Sequence, residues 1–133
     1  MIETLHKAFP SLTERGLSEE YIQTHPDPVW DVPPVPLIQA IPLYMAWCVE
    51  HSSEESELVF EGTISALNEY SRAKDPDAEW MNFRFSCNPK QISAVIAFLR
   101  WCQSCLILDY EPVLSRAIGN WEAVNKAVHA TSA

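Results

Sequence analysis

Asn88-Pro89-Lys90-Gln91-Ile92-Ser93-Ala94-Val95-Ile96-Ala97-Phe98-Leu99-Arg100-Trp101 is the stretch on which the fold turns. The Asn88 side chain can accept the free amides of a helix start, Pro89 suits the first helical position, and Gln91 can reach back to close a capping box. Beyond the cap, Ile92, Val95, Ile96, Leu99 and Leu106 share one side, while Ala94, Phe98, Trp101 and Cys105 share another. The spacing predicts a helix from Gln91 to Leu108 that is apolar around most of its circumference, and therefore central and nearly surrounded.

Upstream, Leu37 to His51 carries Ile38, Ile41, Met45, Cys48 and Val49 on one side and Leu43, Tyr44 and Trp47 on a second flank. This predicts another largely buried helix, with Pro42 in its first turn or kinking it. Ser52 and Glu55 have the spacing of a capping box, which predicts a helix from there to about Lys74, with Gly62 as a weak point and Asp75-Pro76-Asp77 as its end. Shorter helices are expected over Ile2–Phe9, closed by Pro10, and over Ser18–Thr24, capped by Ser18. Met81 to Phe85 alternates apolar and polar residues and is expected to be extended. Pro112 and the pair Gly119-Asn120 divide the remainder into a short helix near Val113–Ile118 and a last one from Trp121 to about His129.

Between the second and third helices, His25 to Pro36 holds five prolines together with Val29, Trp30, Val32 and Val35. Such a run is too apolar for a tether, so residues 25–36 are expected to form a strap across the core, anchored by Trp30. The expected fold is a single all-α domain over residues 1–133, an irregular bundle of about five to seven helices. Its 47% apolar content, with five Trp, five Phe and four Tyr, supplies the core.

The first residues lack the basic and apolar segments of an export signal, and the longest apolar stretch falls short of the roughly 20 residues that span a bilayer. A cytoplasmic protein with no membrane association is expected. In that reducing setting Cys48, Cys87, Cys102 and Cys105 should be thiols. The net charge of −9 is unevenly distributed: residues 1–66 hold two basic against eleven acidic groups, while residues 67–133 hold seven of each. Such a surface repels phosphate backbones, so nucleic acid is not an expected partner, whereas a basic protein is.

Motifs for enzymatic chemistry are sparse. Three glycines cannot build a phosphate-cradling loop, no GxSxG occurs, and the scattered histidines and cysteines lack zinc-site spacing. No cofactor and no metal are therefore expected. Cys102 and Cys105 have CxxC spacing, but they lie deep in the expected helix, far from the N-terminal end that activates a thiol, so they are read as packing groups. A thiol redox enzyme or sensor using this pair is the runner-up.

The leading candidate is the acidic series Glu50, Glu54, Glu57 and Glu61, which lines one side if the two helices run nearly continuously. Trp30 and Asp31 are placed at its rim. This reading predicts a non-enzymatic, protein-binding role through an acidic face, with immunity-type neutralisation of a basic partner as one concrete form.

The run from Phe83 to Trp101, with the pattern N-P-x-Q-x-x-x-V-x-x-F-L-x-W, resembles the tail of a family of small uncharacterised bacterial proteins. Phe9, Trp30, Pro42, Leu43, Tyr44, Pro89, Gln91, Val95, Phe98 and Leu99 are the matching positions, spread over about two thirds of the chain. The resemblance implies a bacterial origin and a helical fold, and no activity.

Overall fold

A computed structural model describes residues 1–131, which among them form seven α-helices and no strand. The helices are α1 (Ile2–Ala8), α2 (Glu19–Thr24), α3 (Leu37–Glu50), α4 (Leu58–Arg72), α5 (Phe83–Ser86), α6 (Pro89–Cys105) and α7 (Val113–Thr131), with 3-10 turns at Pro10–Glu14 and Ser52–Glu54. The all-α bundle expected from periodicity is the observed architecture.

The cap at Asn88 is formed as its residues dictate. Asn88 Oδ1 accepts the Gln91 amide at 2.8 Å and Gln91 Oε1 accepts the Asn88 amide at 2.9 Å, while Gln91 Nε2 donates across to the Ala8 carbonyl and ties α6 to α1. The helix that follows is not the surrounded one. Helix α6 buries Ile92, Ala94, Val95, Phe98, Leu99 and Cys102 but turns Ser93, Arg100, Gln103 and Cys105 to solvent, and it stops at Cys105 rather than Leu108. The centre belongs to α3, in which every residue from Ala40 to Cys48 is buried and through which Pro42 passes without a break in the helix. Aromatic rings fill the core around it: Tyr70 and Trp121 both meet Phe83, Phe83 stacks on Phe9, and Phe60 meets Trp47 of α3 edge-on.

Three expected boundaries move. Met81 to Phe85 is not extended: its end forms the single turn of α5, because Phe83 is buried among Phe9, Tyr70 and Trp121 and Arg84 Nε donates to the Ala73 carbonyl at 2.8 Å. Ser52 and Glu55 do not form a capping box. A short 3-10 turn intervenes and α4 begins at Leu58, with Glu57 at the cap position, since the Glu55 carboxylate is engaged elsewhere. Gly119-Asn120 does not divide the C-terminal segment either. Helix α7 runs through it because Ala117, Ile118 and Trp121 continue one buried face, Trp121 Nε1 donates to the Leu67 carbonyl at 2.9 Å, and Asn120 bonds Asn68.

Helices α4 and α7 are parallel neighbours: Ile64 lies with Val113, Asn68 with Asn120 and Arg72 with Val124. Helix α6 runs antiparallel to α7, with Arg100 paired to Glu122 and Gln103 near Ser115.

The proline strap does cross the bundle, but Trp30 is not its anchor. Pro28 and Pro33 are buried, Val29 and Val35 are half-buried, and the Trp30 ring stands 86% exposed. The crossing point is Gly62, where a Cβ would lie 2.0 Å from the Pro26 carbonyl oxygen. Gly62 is thus the residue that lets strap and helix meet. Replacing glycine inside a helix ordinarily gains about 1 kcal/mol from propensity. Here Gly62→Ala should instead destabilise by about 1 to 3 kcal/mol, because a backbone oxygen cannot step aside. Urea unfolding followed by circular dichroism checks the sign, and a stabilised variant would refute the close crossing.

Candidate functional site

Where α6 ends, the chain turns through residues 106–112 into α7, and one carboxylate fixes that turn. Glu55 Oε1 accepts the Ile107 amide at 2.8 Å and Glu55 Oε2 accepts the Leu108 amide at 2.9 Å, with the Tyr110 hydroxyl donating at 3.4 Å. Burial, with Glu55 beside it, raises the Tyr110 hydroxyl well above its usual pKa and keeps it a donor. Two amides gripped by an ionised acceptor are worth more than neutral hydrogen bonds, so the turn is held in one shape. Its side chains face the other way: Ile107 is 91% exposed and Leu108 is also exposed. Leu58, which opens α4 three residues beyond Glu55, is a further exposed large apolar group.

Acidic residues flank these positions in the chain. Glu61 lines a cleft of about 290 Å³ with Leu108, Asp109, Tyr110 and Glu111. Glu54 stands exposed on the 3-10 turn and Glu57 at the start of α4. None of Glu54, Glu57, Glu61, Asp109 and Glu111 pairs with a cation among the described residues. Asp109 accepts the Glu111 amide and Glu111 accepts the Ser115 amide and hydroxyl, which fixes both loop carboxylates in place.

The four acids read from the sequence as one stripe are not one. Helix α3 ends at Glu50, and the break at residues 51–57 turns that residue away, toward a small cavity lined by His6, Arg15, Glu19 and Trp47. Glu54, Glu57 and Glu61 remain near one another. The sequence reading missed Glu55, Ile107, Leu108, Asp109 and Glu111, since nothing local signals that a loop some 50 residues away docks on Glu55. The apolar run Leu106-Ile107-Leu108 followed by Asp109 was the only local trace.

Trp30 and Asp31 lie in the strap, where Asp27 Oδ1 accepts the Val29 amide at 3.0 Å and the Asp31 amide donates to the Asp27 carbonyl. No hydrogen bond, ion pair or ring contact joins them to Glu54, Glu57 or Glu61 among the described residues. Beyond Trp30 the strap borders a separate cleft of about 500 Å³, lined by Val32, Pro33, Pro36, Ile38, Glu79 and the exposed Trp80.

The CxxC pair is split between two environments. Cys102 is 2% exposed and faces the core, while Cys105 is exposed at the C-terminal end of α6. Burial pushes the Cys102 thiol well above its usual pKa, with Cys48 and Cys105 adding to the shift, and it pushes Cys48 and Cys87 up to about 12. Thiols held neutral in this way are poor nucleophiles, the opposite of redox activation. Among the described residues no group of three His, Cys, Asp or Glu side chains is placed to hold a metal ion. Nor is any helix long and apolar enough to cross a membrane. No protein-family model, curated protein or solved structure matches the chain.

Two outcomes follow from this geometry. Glu55→Gln keeps one acceptor oxygen and loses the charge, so it should cost about 1 to 3 kcal/mol and speed hydrogen exchange at the Ile107 or Leu108 amide, as two-dimensional NMR reads directly. In native protein at neutral pH a thiol reagent should label Cys105 first, with Cys48 and Cys102 reacting only on unfolding. Fast labelling of Cys102 in the folded state would restore thiol chemistry as a candidate.

Proposed function

We propose that the protein is a non-enzymatic binding protein that captures a basic, amphipathic protein partner on the surface formed by Leu58, Ile107 and Leu108 within the ring of Glu54, Glu57, Glu61, Asp109 and Glu111. The observation that carries this reading is the outward display of Ile107 by the Glu55 carboxylate. A loop that merely connects two helices gains nothing from holding a large aliphatic side chain 91% exposed. A docking surface does, because exposed apolar groups with a charged rim are the anatomy of a partner site. The unpaired carboxylates supply steering toward a cationic partner, as does the net charge of −9.

The bacterial cytosol is the setting we assign, on the sequence resemblance and the charge of the chain. Immunity-type neutralisation of a basic toxin is one form this binding takes, since such pairs associate through opposite charge. Trp30 and Asp31 belong to a second patch of the same kind beside the strap, and enter only where the partner is large enough to reach it.

Immobilised protein should retain basic proteins from lysate of the source cell at low salt and release them as salt rises, because exposed charges are screened beyond about 10 Å at 0.1 M. Glu57→Lys with Glu61→Lys, and separately Ile107→Asp, should each weaken capture at least about tenfold, the loss of roughly 1.4 kcal/mol. Reversal of Asp77 and Glu79, exposed beyond the opposite end of α4, serves as the control. Capture that survives both site variants and fails only with the control would sink the assignment.

A further inference from the structure

Arg72, Lys74 and Arg84, three of the nine cations of this acidic chain, gather at the C-terminal end of α4, and a fourth, Arg116, shares a cleft with Arg72 from α7. Arg72, Lys74 and Arg84 line an open groove of about 740 Å³ whose floor includes Met81 and Val124. Arg72 and Asn120 continue into a more polar cleft of about 340 Å³, completed by Asn68 and Arg116. Among the described residues the single carboxylate on these walls is Glu69, whose pairing with Arg72 is a long 3.9 Å contact at the surface.

Helix stability accounts for some of these cations and not for others. Arg72 and Lys74 suit the negative end of α4, and Arg84 caps the Ala73 carbonyl while stacking on Phe85 at 3.9 Å. Arg116 has no such role. It lies in the first turn of α7, where the helix dipole disfavours a cation, and it shares a cleft with Arg72, whose guanidinium repels it. The amides add donors. Asn120 Nδ2 donates to Asn68 Oδ1 at 3.3 Å, and both side chains line the cleft. Two guanidiniums and two side-chain amides around one cleft form an oxyanion cradle, and the apolar floor next to it accepts a hydrocarbon body.

We infer that the α4–α7 groove binds a small ligand with an oxyanion head, phosphate or carboxylate, and an apolar body. The head sits among Asn68, Arg72, Arg116 and Asn120, with the body running along Val124 and Met81 toward Lys74 and Arg84. This site is separate from the acidic docking surface and stands or falls independently of it.

Calorimetry and side-chain amide NMR with inorganic phosphate, octyl phosphate and octanoate test the assignment. Octyl phosphate or octanoate should bind at least ten times more tightly than inorganic phosphate and should shift the Asn68 and Asn120 amide signals. Tighter binding of one organic probe than the other identifies the head group. Arg72→Gln with Arg116→Gln, both exposed positions, should weaken the organic probes at least tenfold. Val124→Ser should reduce the preference over inorganic phosphate while leaving inorganic phosphate unchanged. Glu69→Gln, which removes the competing carboxylate, should tighten binding a few-fold, a gain that misfolding cannot mimic. Absence of binding by both organic probes at millimolar concentration, or binding unchanged in the double arginine variant, would overturn the inference.

Discussion

Helix α3 hides every residue from Ala40 to Cys48, so it has no solvent-facing side and needs a neighbour in each direction. That requirement organises the bundle. Tyr44 sends its hydroxyl to the His25 carbonyl at 2.6 Å and pins the start of the strap, and Cys48 sits against Thr63 of α4. The Trp47 ring stacks on His51 at 4.2 Å where the helix ends. Each fully buried large side chain contributes about 1.5 to 3 kcal/mol by leaving water, so a helix buried all round gathers neighbours more effectively than any cap or turn.

The parallel pairing of α4 and α7 turns this core into a polarised surface. From Glu61 to Arg72 the axis advances about 16 Å at 1.5 Å per residue. Over that distance the neighbourhood changes from carboxylates and exposed aliphatics to cations and amides. Two parallel helices place like dipole ends together, and acidic groups at the starts with Arg72 and Lys74 at the end of α4 complement them. Arg116 is the exception, and for that reason it marks a site and not a helix end.

Glu55 and Gly62 show how single residues of α4 and its approach set the geometry of distant chain. Glu55 shapes the α6–α7 loop by accepting two of its amides, and Gly62 admits the strap by having no Cβ. Neither effect can be read from neighbours in sequence. Glu55 was legible only as a possible capping residue and Gly62 only as a helix defect, because local patterns carry no information on what arrives from 36 or more residues away.

The sequence by itself determined the helical class, the cap at Asn88 and the burial of α3, because 3.6-residue periodicity and capping chemistry act within a few residues. It also determined the acidic balance and its concentration in the first half. Tertiary structure decided which helix is central, that residues 113–131 form one helix across Gly119-Asn120, and that Trp30 and Cys105, expected to pack in the core, face water. It alone decided which carboxylates gather around Ile107 and which cations gather around Asn68. Those outcomes depend on contacts between segments far apart in the chain, where burial and hydrogen bonding outweigh local preference.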